Sequence, residues 1–163
     1  MYFIVFISVL IFQRLTELYI SSRNEKWLLG QGAVEYGQKH YPYMIALHTL
    51  FIVSLIAEYL LTPNHPVSFI FLYLLVVLLG FKYWIISALG PYWNTKIYRV
   101  PGTGLVKKGP YKILKHPNYV DVVCEIATIP LVFHLYYTAI IFSLLNAVML
   151  FVRIRVENKV WAE

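Results

Sequence analysis

The sequence is poor in charge, in acid and in cysteine. Only 13% of its 163 residues are charged, about half of what a soluble domain of this length displays. With 60% hydrophobic residues and a mean hydropathy of +0.64, an ordinary soluble domain is excluded. A single membrane domain over residues 1–163 is expected. Cys124 is the only cysteine; it excludes an intramolecular disulfide, and its apolar neighbours predict a buried, inert thiol. Acids number 8 against 14 Lys and Arg. The excess cations stand beside apolar runs, so anionic lipid or a charged cofactor is expected rather than nucleic acid. YFIVFISVLIF has no basic region before it and no small-residue cleavage pattern after it, so it reads as the start of a retained helix, not a signal peptide. The 5 histidines lack zinc-ligand spacing, so no metal is expected. No strand is expected before PGTG at 101–104, and neither a Walker sequence nor a nucleophile elbow is present.

What is abundant is apolar helix. Runs fall at about residues 2–20, 43–61, 67–89, 119–134 and 136–156, and crossing the hydrocarbon takes about 20 residues. The fold class expected is therefore all-α, with about five transmembrane helices. The last two form a tight hairpin or one bent helix, with Pro130 favouring a break. LTPNHPVS is a short turn that predicts tight antiparallel packing of the second and third spans. Residues 21–43 are polar enough to stay outside the hydrocarbon and aromatic enough to lie along its surface. Lys and Arg concentrate at 23–39, at 95–116 and in the tail, which places those segments in the cytosol and the N-terminus outside. Fourteen Tyr and 4 Trp suit headgroup-level rings or the walls of an amphiphile's pocket.

Ionisable residues inside apolar runs mark sites or packing pairs. Arg14 and Glu17 are three apart on one face and predict a structural pair, and Glu58 and Lys82 are also read as structural. Asp121 and Glu125 lie four apart at the start of the fourth run, costly in low dielectric unless cations compensate. Arg153 and Glu157 share a face near the end of the fifth, and His116 stands just before the fourth. A cytosol-facing polar pocket made from a loop and the ends of the last helices accounts for all of them. Pro117 restricts His116 and can open the following helix, whose free amides would face the pocket and favour an anionic group.

GPYKILKHPNY at 109–119, with the terminal RIRVEN, resembles the signature of the isoprenylcysteine carboxyl methyltransferase family, membrane enzymes that use S-adenosylmethionine. The likeness covers residues 88–158, leaving 1–87 as a helical scaffold, and the full layout is similar to a compact bacterial branch. Gly109, Pro110, Tyr111, His116, Pro117, Tyr119, Arg153 and Glu157 match the pattern. Lys115 stands where the family has Arg, and Asn158 where it has a second Glu. The resemblance implies a donor site built by Gly109, Pro110, Tyr111, His116, Pro117, Tyr119 and Glu157. Arg153 would anchor an acidic acceptor or pair with Glu157, and Glu125 and Asp121 are candidates for donor binding or acceptor deprotonation. The expected activity is O-methylation, in a bacterial cell membrane, of a lipophilic small molecule such as a long-chain polyketide of the alkylpyrone type. A prenylcysteine carboxyl methyltransferase, a membrane reductase using NADPH, and a non-enzymatic lipid-binding protein are the alternatives.

Overall fold

The computed structural model describes residues 1–162; Glu163, the last residue of the expected domain, lies outside the described residues. Five α-helices follow one another: α1 (Tyr2–Gly30), α2 (Tyr41–Leu61), α3 (Phe69–Leu89), α4 (Pro117–Leu131) and α5 (Tyr136–Ala162). Two short strands, β1 (Val34–Tyr36) and β2 (Ile97–Arg99), pair antiparallel, with Val34 opposite Arg99 and Tyr36 opposite Ile97. This ribbon ties the α1–α2 connection to the loop after α3. Three-residue strands carry too little alternation to be read from a sequence.

Four helices among the described residues, not five, are long and apolar enough to cross a membrane: α1, α2, α3 and α5. The five-span expectation fails at α4. Its 15 residues rise about 22 Å, short of a hydrocarbon core of about 30 Å. The cause lies in the preceding loop, which folds back beside the last turns of α3, where Gly109 approaches Ala88 and Trp84. Pro117, the first residue of α4, is buried. Much of α4, including Ile126 and Ile129, is buried against the other helices, while Val120 and Val123 leave one face exposed.

The same insertion corrects the expected pairing of α2 with α3. Helix α3 packs on α4, and α2 on α5. The α4–α5 connection closes under the α2–α3 turn, with Ser68 N donating to Val132 O at 2.8 Å. The helical hairpin expected around Pro130 is present, and His134 turns the chain with a φ of 55°. Glu58 does not pair with Lys82. Its carboxylate accepts from the Tyr137 and Thr138 amides at 3.1 and 2.7 Å and so caps the start of α5.

Along α1 the buried positions are Phe3, Ile7, Leu10, Glu17, Ser21, Asn24 and Leu28, a helical stripe whose chemistry changes from apolar to polar. Its apolar part joins Phe51, Leu55, Ile126 and Phe133 in the core, where Phe3 stacks on Tyr59 with ring centroids 3.7 Å apart. Its polar part docks the loop after α3: Asn24 donates to the Trp93 carbonyl at 2.8 Å and Ser21 to Asn94 Oδ1 at 3.0 Å. Core and site therefore occupy opposite ends of one bundle.

Candidate functional site

The basic end of the bundle holds a cavity of about 150 Å³. Its floor is the start of α4 and the end of α5, and its walls are the segments 92–106 and 111–118. Pro117 is the first residue of α4, as expected. The Tyr119 and Val120 amides return to the His116 carbonyl at 3.1 and 3.3 Å instead of pointing into the cavity.

Tyr119 organises the polar wall. Its hydroxyl donates to Glu157 Oε2 and accepts from Arg153 Nε at 2.9 Å, and its ring stacks on His116 at an interplanar angle of 19°. His116 Nδ1 lies 3.7 Å from Glu157 Oε1. Arg153 and Glu157 thus communicate through a phenol and do not touch. The second Arg153 contact is Nη1 to Met44 Sδ at 2.8 Å, and this guanidinium, 6% exposed, makes no ion pair with an acid among the described residues. Burial, with the Glu157 charge adding to it, pushes the Tyr111 phenol above its ordinary range, so it stays a neutral donor at the rim.

Tyr111, His116, Tyr119, Arg153 and Glu157 line the cavity. Gly109, Pro110 and Pro117 stand behind its wall. Gly109 has a φ of +51°, and a Cβ there would sit 2.9 Å from Ala88 Cβ, so only glycine lets the loop lie this close to α3. Lys115 Nζ donates to Asn158 Oδ1 at 2.7 Å. The two positions at which the chain departs from the family pattern are hydrogen-bonded partners, closing the 109–116 loop onto α5.

Glu125 is elsewhere, in a buried cluster with Arg14, Glu17, Lys82 and Asp121. Lys82 Nζ bonds Glu125, lies 3.0 Å from Glu17 and 3.5 Å from Asp121 Oδ2, close enough for charge attraction but without a hydrogen bond to Asp121. Arg14 joins Glu17 at 2.7 Å, as its spacing predicts, and Glu125 at 3.4 Å.

Three cavities lie next to one another, neighbours sharing lining residues. A small inner chamber shares Trp93, Asn118, Tyr119 and Arg153 with the cavity above. It shares Arg14, Glu17, Met44 and His48 with a largely apolar groove of about 410 Å³ between α1 and α2. Trp93 and His48 carry no mark in the sequence that assigns them to these cavities. A lone tryptophan after a span reads as an interfacial anchor, and a histidine within a span has no spacing partner.

The cavity suits a small zwitterionic ligand with a positive centre. Trp93 Nε1 and His116 Nε2 are buried polar atoms of its wall without a hydrogen-bond partner, a state that costs free energy unless something binds there. Glu157 offers the negative charge that a cationic group needs. S-adenosylmethionine, with its carboxylate, ammonium and sulfonium, fits that donor set.

Over 160 residues the chain is 50% identical to YpbQ, an uncharacterised protein of Bacillus subtilis, covering 96% of this chain and 95% of the relative. An uncharacterised protein of Haemophilus influenzae is 29% identical over 151 residues, covering 89% and 86% of the two chains. No solved structure matches. Residues 71–163, more than half of the chain and all of the cavity floor, match the model of one family, and with its four membrane-length helices the chain belongs to the isoprenylcysteine carboxyl methyltransferase family.

Proposed function

We propose that this integral membrane protein transfers a methyl group from S-adenosylmethionine to an anionic oxygen, a carboxylate first of all, on a lipophilic acceptor drawn from the bilayer. The observation that carries this reading is Arg153, a buried cation without an acid partner among the described residues, where the upper cavity meets the inner chamber. A buried charge is tolerated when something neutralises it in the working state. An acceptor carboxylate would do so and would arrive already ionised, so no residue has to remove a proton.

When bound, the donor supplies an electrophilic methyl on a sulfonium. Glu157, His116 and Trp93 hold its polar groups, and Tyr119 keeps Glu157 and Arg153 in register. The groove between α1 and α2 admits the acceptor's apolar tail from the lipid, and its head reaches Arg153 through the chamber. Such positioning is the main source of rate in a transfer that needs neither metal nor covalent protein intermediate. The family description favours a prenylated cysteine carboxylate over the long-chain polyketide expected from sequence, for which the comparisons offer no support. The basic end of the bundle is assigned to the cytosol by its lysines.

Titration calorimetry with S-adenosylmethionine, with NADPH as comparator, tests the donor. Saturable binding of S-adenosylmethionine alone, lost in folded His116→Ala and Glu157→Ala proteins, is the expected result. A preference for NADPH would replace transfer by reduction, and binding of neither by a folded chain would leave a lipid-binding role. The acceptor route has its own readout. Thr49 lies exposed on the groove, so Thr49→Trp should raise the acceptor KM by about tenfold or more while donor affinity stays constant; an unchanged KM would place the entrance elsewhere.

A further inference from the structure

The segment between β2 and α4 carries a surface that the methyl-transfer reading leaves unused. From 95 to 116 the chain has six Lys and Arg and no acid. Lys107, Lys108 and Lys112 are exposed and make no ion pair among the described residues, whereas Lys115 is held by Asn158. Among these lysines stands Ile113, 84% exposed, with Leu105 and Leu114 also open. Apolar side chains ringed by lysine are unfavourable in water and well placed at the boundary between headgroups and acyl chains.

The fold puts the segment at that depth. Gly109 rests against Trp84 and Ala88, near the end of α3, and Tyr83 and Trp84 are about half exposed on the outside of that helix. Tryptophan and tyrosine at the end of a span mark the headgroup layer. The turn at 109–115 is therefore level with the bilayer surface and beside it. The same segment is a wall of the upper cavity, to which it contributes Gly104, Leu105, Val106, Tyr111 and Lys115. Lys112 and Ile113 directly follow Tyr111, so whatever fixes the outer side of this turn also fixes its inner side.

We propose that residues 104–115 form a strap that binds anionic phospholipid headgroups through Lys107, Lys108 and Lys112, with Ile113 entering the interface, and that this seating tightens the donor cavity. Each lysine near an anionic surface adds roughly fivefold to membrane attraction. Part of that attraction is spent on ordering the strap, and this makes lipid and donor binding mutually favourable. The coupling to the donor rests on the proposed methyl-transfer function; the lipid contact does not.

The full chain is reconstituted in nanodiscs of phosphatidylcholine alone, or with about 30% phosphatidylglycerol. S-adenosylmethionine affinity is measured in both. In a Cys124→Ser background, a spin label on Ile113→Cys reports depth from its accessibility to lipid-soluble and water-soluble relaxation agents. The expected result is a label shielded from water in the anionic bilayer and donor binding at least about threefold tighter there. Lys107→Gln, Lys108→Gln and Lys112→Gln together should cancel that gain, as should high salt. A water-exposed label in the anionic bilayer would overturn the lipid contact. Equal donor affinity in both bilayers would overturn the coupling. If no donor binds in either bilayer, the methyl-donor reading fails and the coupling fails with it, while the label still decides the contact by itself.

Discussion

Arg153→Met is expected to lower kcat/KM for methyl transfer by about 10²–10³-fold, the range seen when a preorganised charge donor is removed from a reacting centre. Donor affinity should change little, because Tyr119 still donates to Glu157 and the Trp93 and His116 nitrogens remain in place. Arg153→Lys should recover part of the activity, since it restores the charge but not the fork that reaches both Tyr119 and Met44. The thermal midpoint of Arg153→Met without ligand should be unchanged or higher, because a buried cation lacking an acid partner among the described residues is replaced by an apolar side chain of similar length. Activity is read as labelled methyl incorporated into a farnesylated cysteine derivative or, if that probe is not turned over, into a membrane lipid extract. Parallel loss of donor binding and activity would move Arg153 into the donor site. Wild-type rates in Arg153→Met would remove it from the mechanism.

Lys82→Met should produce the largest loss of stability, about 3–5 kcal/mol, the usual cost of removing one partner from a buried ion pair. Lys82 is 3% exposed, beside Glu17, Asp121 and Glu125; without it, Glu17 and Glu125 keep Arg14 and the Gln13 amide, and Asp121 loses its ion-pair partner among the described residues. Glu125→Gln removes one of those charges. The double variant Lys82→Met/Glu125→Gln should therefore cost about 1–3 kcal/mol less than the two single effects added. Unfolding in mild detergent measures all three proteins. Additive losses would show that Lys82 and Glu125 are not coupled, and a Lys82→Met protein with the wild-type midpoint would mean that the cluster contributes nothing to folding. The cluster borders the inner chamber through Arg14, Glu17 and Lys82, so its rigidity also shapes the acceptor's route.

Local relations were legible in the sequence. Arg14 and Glu17 pair at three residues' spacing, α4 opens at Pro117, and Pro130 precedes the hairpin turn, because each depends on neighbours within one helical turn. The residues of GPYKILKHPNY and RIRVEN that line the cavity share it with segments far away in the chain, and no local rule could find those. Lys82 has no local signal that names its partners, since Glu17 and Glu125 come from helices on either side of it in sequence. Trp93 takes its significance from an unpartnered indole nitrogen in a cavity wall, a property of the folded molecule alone. By hydropathy alone the fourth apolar run reads as a span, because hydropathy does not distinguish a helix buried in protein from one facing lipid.

From its own residues the chain determined that it enters a membrane, because its long apolar runs cannot be solvated and each α-helix satisfies its own backbone polar groups. It determined as well which end is basic, and, through one signature, its family. Only the tertiary structure decided that four helices among the described residues have the length to cross while α4 packs against them. It alone carried Arg153 to Tyr119 without bringing it to Glu157, joined Lys115 to Asn158, and opened the groove between α1 and α2. The reason is range: insertion depends on the hydropathy of contiguous residues, whereas a site depends on distances between segments that only packing brings together.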